Sequence, residues 1–490
     1  MTEPLKPPQK LPEDGILLGY SLEHETRTSP IGFHTPKDSE PSPQEGFLTP
    51  LLYEGGNHLM TIAPTGAGKG VCCVIPTLLR YQGPIIVVDP KGENYAVTAR
   101  QRKAMGQKVI RLAPYEDKCD SLNPLDCIRD GQDAVEDAIE LAQLMIRPQR
   151  NQRDPFWDDR ACQLIAALLL YIKYESPTAL KNLSELFYLL NQETSDFILT
   201  IKDMRRSKFP QVKKLAGVMS IKDNERVFQS ILSTAQSHLT YLAGDNVQYS
   251  LRASSFDLDE ITRGEPLSIY LVVPPEKLET HGGLIRLWVG AFMSAIVKRT
   301  HKVETKTLFI LDEAAQLGTF SLLRRAITLL RGYGLQTWSF WQDLSQLKSL
   351  YPNDWETMFN NSHVAQSFGA TNLRLAKSIL SLMGGEHTAE EILELDSDEL
   401  ALLMAGDQMV IAQKPNYLTD PVFKGLFDDN PYYIEQDLEA IAAQYPQRVY
   451  TRPKPKGLND YDLSNYSLVP KASSSKPPKK VTRKGKNKKN

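Results

Sequence analysis

The sequence predicts an α/β protein with a mainly parallel sheet, its chain interrupted by an all-helical insertion. Short apolar runs that end in turn residues recur at 59–64, 85–90 and 109–114. They resume at 267–273, 307–311, 336–341, 363–368 and 408–411, with helical segments between them. Runs of this kind mark parallel strands covered on both faces. Between about 130 and 260 convincing strands are absent, and 136–146, 158–174, 183–190, 211–219 and 225–242 favour helix. The third observation is a glycine-rich turn that joins the first apolar run of the sheet to an apolar helix beginning near Val71.

The 490 residues exceed what one compact core holds, so two or three domains are expected. Residues 1–46 carry eight prolines and little periodicity beyond Gly15–Tyr20, which reads as an extended arm with one short strand. The sheet domain then occupies 47–130 and 261–445, with the helical domain inserted at 131–260. Residues 446–490 form a polar, lysine-rich tail too poor in apolar residues to fold alone.

Composition excludes several classes. The net charge of −2 conceals nine Lys/Arg and no acid in 471–490, which leaves 48 basic against 59 acidic residues, or −11, in the remainder. Attraction of this acidic body to nucleic acid must therefore be local. The five cysteines show no C-x-x-C spacing. They read as small core residues of a reducing compartment rather than a metal or disulfide framework. No basic segment followed by an apolar run opens the chain, and the longest apolar stretch, 164–172, is about half of the ~20 residues that span a bilayer. The expected location is cytoplasmic, or peripheral at the inner membrane through a partner.

His58-Leu-Met-Thr-Ile-Ala-Pro-Thr-Gly-Ala-Gly-Lys-Gly70 has the layout of a phosphate-binding P-loop. Gly66 and Gly68 allow backbone N–H groups to face an anion. The next helix adds its N-terminal dipole, and Lys69 supplies charge for the β- and γ-phosphates. Thr65, Gly66, Ala67, Gly68, Lys69, Gly70 and Val71 are the expected nucleotide contacts. Two positions depart from G-x-x-x-x-G-K-S/T: Ala63 replaces the first glycine, and Gly70 stands where a magnesium-binding hydroxyl is usual. Thr65 or water would then complete the magnesium shell.

The partner motif is Thr307-Leu-Phe-Ile-Leu-Asp-Glu313, an apolar strand ending in adjacent acids. After a P-loop, such a strand places Asp312 beside Mg2+ and lets Glu313 orient water and take its proton, which points to an ATPase. Gln342 ends the next strand, within reach of a γ-phosphate or attacking water. Arg331 lies in an exposed turn before that strand. It reads either as a residue reaching a neighbouring subunit's nucleotide or as a cation favoured by a helix C-terminus.

Together with these motifs, Val88-Asp-Pro-Lys-Gly-Glu-Asn94, Asp154-Pro-Phe-Trp-Asp-Asp159, Leu232-Ser-Thr-Ala-Gln-Ser-His238, Tyr270-Leu-Val-Val-Pro-Pro275 and Trp341-Gln-Asp-Leu344 carry a family resemblance. Over roughly 45–435 the chain resembles the type IV secretion coupling proteins of the TraG/TraD type. The resemblance implies a RecA-like P-loop ATPase domain, an inserted all-helical domain and a homo-hexameric ring using ATP and Mg2+. It also implies delivery of DNA, relaxase–DNA or protein substrates to the channel components of a secretion system. The family's arginine finger and sensor glutamine fall on Arg331 and Gln342, and Asp89, Lys91 and Glu93 match a motif after the second strand, which reads as a nucleotide or subunit contact at the sheet's carboxyl edge or as a surface turn. Members usually begin with transmembrane helices. A chain without them is expected to be a naturally soluble variant, to dock on a separate membrane subunit or to act as a cytosolic DNA translocase. The missing hydroxyl at Gly70 also leaves open a recruitment platform switched by nucleotide with little hydrolysis. Two basic groups are candidate DNA contacts: 471–490, and Lys202, Arg205, Arg206, Lys208, Lys213 and Lys214 in the helical segment.

Overall fold

The computed structural model describes residues 6–22, 47–146, 155–218 and 225–432. The lysine-rich tail and most of the proline-rich arm lie outside the described residues. Strands β1 (Ile16–Ser21), β2 (Thr49–Tyr53), β3 (His58–Ile62), β4 (Ile85–Val88), β5 (Lys108–Leu112), β6 (Leu267–Leu271), β7 (Thr307–Leu311), β8 (Leu335–Trp341), β9 (Ser362–Ser367), β10 (Glu399–Met404) and β11 (Val410–Gln413) form one sheet. Their order is β2-β1-β11-β10-β9-β3-β8-β7-β4-β6-β5.

From β9 to β5 every neighbouring pair is parallel. Alternate residues serve two cores, as continuous apolar strands require. Ile86 and Val88 of β4 face one core, with Phe309 and Leu311 of β7, while Ile85, Val87, Leu308 and Ile310 face the other. Cys72 and Cys73 lie in the second core, and burial pushes the Cys72 thiol up to about 12. They are packing residues, as their position after the glycine-rich turn suggests.

The sheet departs from the expected parallel series at one end. The run expected at 408–411 is β11, and it is antiparallel to β10. Residues 405–409 alone join the two, too few for a parallel crossover, and Gly406 turns the chain at φ 96°. Strand β10 itself was not anticipated. Glu399-Leu-Ala-Leu-Leu-Met404 consists of residues that favour helix, but pairing with β9 and β11 overrides that preference. The short strand expected in the N-terminal arm is β1. It lies between β2 and β11 with Ile16 to Tyr20 buried, and the Tyr20 hydroxyl donates to Asp420 Oδ2 at 2.8 Å.

Between β5 and β6 the described residues hold helices and no strand, from Ala134–Met145 to Asp259–Arg263. The expected helices are Ala134–Met145, Phe156–Glu175, Leu183–Asn191, Pro210–Val218 and Glu225–His238, the last ending four residues early. Thr194–Arg206 was not anticipated, although buried Phe197, Thr200, Ile201 and Met204 repeat at helical spacing.

The long helix Pro275–Val297 is, among the described residues, the one long and apolar enough to cross a bilayer by length and composition. Of its most apolar window, 78% is buried inside the protein. It sits close to its neighbours at two of its three glycines. A Cβ on Gly283 would approach the Tyr241 ring to 2.8 Å, and one on Gly290 would collide with the Leu144 isobutyl group. Gly290→Val should cost about 1–3 kcal/mol by overpacking. Urea unfolding measures this, and an unchanged midpoint would contradict the contact.

His58 starts β3 as a buried base. The Thr337 N–H donates to its Nδ1 at 3.1 Å, so that nitrogen carries no proton. Burial, Lys306 and Arg331 together lower the imidazole pKa to about 4. A depressed folded-state value means stability that is complete above about 6.5 and lost as pH falls toward 4. His58→Asn keeps an acceptor without the titration. Wild type should therefore lose stability relative to this variant between pH 6.5 and 4. A pH-independent difference in unfolding free energy would remove the argument.

Candidate active site at the sheet's carboxyl edge

Three adjacent parallel strands, β3, β8 and β7, end side by side, and the residues just beyond them meet. Ala63 N–H extends the ladder to the Trp341 carbonyl at 2.8 Å, which fixes the start of the glycine-rich loop against the end of β8. Gly66 and Gly68 adopt φ of 79° and 88°, the left-handed region that glycine enters without steric cost. A Cβ on Gly66 or Gly70 would meet nothing within 4 Å, so the loop borders open space. The amides of Gly66 and Gly68 donate to nothing among the described residues.

The helix after the loop begins with a π-type turn, Gly70–Val74, closed by Ile75 N–H to the Gly70 carbonyl, and continues as Ile75–Arg80. Pro76 has no N–H for the usual bond four residues back, so the wider turn loses no donor there.

Lys69 reaches across to β7. Its Nζ donates to the Asp312 carbonyl at 2.8 Å and to Glu313 Oε2 at 3.1 Å, and lies 3.5 Å from Asp312 Oδ1. The other Glu313 oxygen, Oε1, accepts from Gln342 Nε2 at 3.0 Å. Gln342 is itself held by its N–H bond to Gln346 Oε1 at 3.0 Å, and Gln346 N–H donates to Asp343 Oδ1 at 3.0 Å. Gln346 was missed from sequence. Its signal is the four-residue spacing from Gln342 at a helix start capped by Asp343.

Asp312 Oδ1 is buried and has no hydrogen-bond partner among the described residues. Burial pushes this carboxyl's pKa up, Lys69 pulls it down, and Glu313 pushes it up again. A buried carboxylate oxygen without a hydrogen bond, beside the open space that the glycine loop borders, fits a divalent cation. Thr65, the nearest hydroxyl in the loop sequence, is exposed.

Asp89 is buried rather than part of a solvated turn. It accepts from Tyr95 N–H at 2.8 Å and Asn94 N–H at 3.3 Å, at the start of the helix Glu93–Ala104. Burial pushes its carboxyl up to about 7 against the pull of those amides. Glu93 faces the site closely enough to raise the Asp312 carboxyl further, and Lys91 is exposed.

Lys69, Asp312, Glu313 and Gln342 are thus brought together, and Arg331 is not. Arg331 is exposed in the turn Leu330–Tyr333 before β8, where its charge acts on His58, Lys306 and His363. That is the strand-start edge of the sheet. Seven residues of β8 lie between it and Gln342, a separation of roughly 20 Å at the usual rise per residue. All six cations of the helical-segment cluster, Lys202 to Lys214, are exposed.

Comparison with known proteins agrees with this fold. The chain is 27% identical over 364 residues to the conjugal transfer protein TraG of Escherichia coli, covering 70% of this chain and 57% of that protein. It is 26% identical over 313 residues to the type IV secretion system-coupling protein VirD4 of Bartonella quintana, covering 61% and 48%. The chain therefore spans about half the length of the curated relatives it matches. In fold it is similar to the plasmid coupling protein TrwB solved with the ATP analogue ADPNP, at a TM-score of 0.60 and 18% identity, covering 73% of this chain and 85% of that one. TrwB with ADP and Mg2+ gives 0.60 and 17%, covering 74% and 87%. The family described as type IV secretory system conjugative DNA transfer matches residues 37–391, well over half of the sequence, and the chain belongs to that family.

Proposed function

We propose that this chain is an ATP-hydrolysing coupling protein that recruits DNA, relaxase–DNA or protein substrates and drives them into a type IV secretion channel at the inner membrane. The observation that carries the reading is the linked set Lys69–Glu313–Gln342 around the orphaned Asp312 Oδ1, at the mouth of a glycine loop. The nucleotides and Mg2+ present in TrwB structures support ATP and Mg2+ as its ligands.

Each residue has a distinct task. An anion over the loop competes with Asp312 and Glu313 for the Lys69 ammonium and receives the free amides of Gly66 and Gly68. Asp312 Oδ1 would hold Mg2+, directly or through water, and that ion neutralises phosphate charge when bound. Released from Lys69, Glu313 Oε2 is free to take a proton from water, while Gln342 fixes the carboxylate through Oε1. Arg331 acts on the nucleotide of a neighbouring subunit in a homo-hexameric ring, which its place at the opposite sheet edge supports. A nucleotide-binding switch with little turnover is the second reading. It is favoured by the absence of a hydroxyl at Gly70, and it predicts ATP binding without phosphate release.

Lys69→Ala should lose nucleotide affinity, and Glu313→Gln should bind ATP yet lower kcat by about 100-fold or more, as removal of a general base does. Wild-type-like hydrolysis by either purified variant would overturn the site.

The contribution of Arg331 to a neighbour is tested by mixing. Arg331→Ala and Glu313→Gln should each be inactive alone. A mixture should regain activity, because an intact site on the first then meets an intact arginine on the second. No recovery at any ratio would remove Arg331 from the neighbour's site.

A further inference from the structure

An open cleft of about 770 Å³ lies between the helix Leu373–Met383, which follows β9, and the segment 344–360, which precedes it. Its floor is apolar, from Trp355, Leu373 and Leu382. Its rim is cationic. Arg374 and Lys377 stand one turn apart on the helix, and on the facing segment Lys348 lies 4.3 Å from the centre of the Trp355 ring. All three cations are exposed, and none makes an ion pair among the described residues. By contrast, nearby Arg324 is paired with Asp354 at 3.3 Å. The helix spends its other face on packing, burying Ala376, Ile379 and Met383.

We propose that this cleft binds a short acidic segment of a partner protein, with carboxylates on Lys348, Arg374 and Lys377 and an apolar side chain seated against Trp355 and Leu382. Charge complementarity selects the class. Three unpaired cations around an apolar floor match two or three carboxylates flanking one large apolar residue, and the volume is that of a few side chains. A nucleic acid strand fits less well. Glu356 interrupts the cationic rim, and Lys348 already occupies one face of the only indole available for base stacking. The acidic balance of residues 1–470 also repels a long polyanion more than a peptide with three charges. The cleft is formed without any residue of the nucleotide site, so this inference and the ATPase reading fail separately.

Fluorescence anisotropy with the dye-labelled, C-terminally amidated hexapeptide Ser-Glu-Phe-Asp-Glu-Ser tests it on the full chain. Its Gln/Asn counterpart and a labelled 12-residue oligothymidine serve as comparisons. Arg374→Glu with Lys377→Glu, and separately Lys348→Glu, change exposed side chains that support no described ion pair, so folding and ATP hydrolysis should be retained. Saturable binding of the acidic peptide to wild type is expected, at least tenfold weaker in each variant and for the Gln/Asn peptide, and weakening as salt rises. No saturable binding to wild type would overturn the proposal, as would equal binding by the charge-reversed variants. Oligothymidine binding that is lost in these variants while peptide binding is not would also overturn it and assign the cleft to nucleic acid.

Discussion

Lys69 is the charge that lets two carboxylates stand next to each other at the end of a buried strand. Asp312 and Glu313 repel one another, and β7 delivers both into the same partly buried corner. Without the ammonium between them, the mutual repulsion of the two acids would stand unbalanced in that corner. Lys69 meets this demand from the loop after β3, 243 residues earlier in the chain. The pairing is also unfinished: Lys69 is shared, and Asp312 Oδ1 is left without a hydrogen bond. A site that balances its own charges while keeping one oxygen unmet is prepared to exchange an internal ion pair for an external one.

Everything else in the fold serves that juxtaposition. Parallel alignment of β3, β8 and β7 makes their carboxyl ends coincide, so loops distant in sequence meet without long connections. The bonds from Asp343 to Gln346 to Gln342 carry rigidity from a helix cap to the amide that orients Glu313. At the far side of the sheet the requirement is different. Strands β10, β11, β1 and β2 run antiparallel and continue the sheet beyond β9, and the Tyr20–Asp420 bond ties residues 400 positions apart. Lys348, Arg374 and Lys377 lie between these regions, on the helix after β9 and the segment before it.

The parts most legible in the sequence were those whose chemistry constrains residue type locally. A phosphate loop needs glycine at positive φ and a lysine after it, and Gly66, Gly68 and Lys69 provide this. Buried parallel strands need apolar runs, which marked β3 to β9. What stayed hidden depends on distant neighbours. Glu399–Met404 is a strand only because β9 and β11 flank it, and nothing within its six residues indicates that. Asp89 reads as a surface acid until the helix that donates to it folds over it. The partnership of Glu313 with Gln342 was only half legible: both end strands, but their meeting requires β7 and β8 to be neighbours. Thr194–Arg206 is a different case, because its apolar spacing was present in the sequence and was passed over.

The two edges of the sheet impose a final constraint. Arg331 precedes β8 and Gln342 follows it, so the strand whose carboxyl end brings Gln342 to Glu313 holds the arginine a full strand length away. No rotamer of an arginine side chain spans roughly 20 Å, because its extended reach is about a third of that. On the proposed reading, chemistry then requires two copies meeting head to tail, the strand-start edge of one against the carboxyl edge of the next. An interface of that kind uses two different surfaces on each copy, so it repeats until it closes, and a ring is its natural end point. The exposed Leu329 and Tyr333 beside Arg331 give that edge apolar surface to bury when the copies meet. Hydrolysis and assembly would be coupled by geometry, since the arginine enters a neighbour's site only when the interface forms.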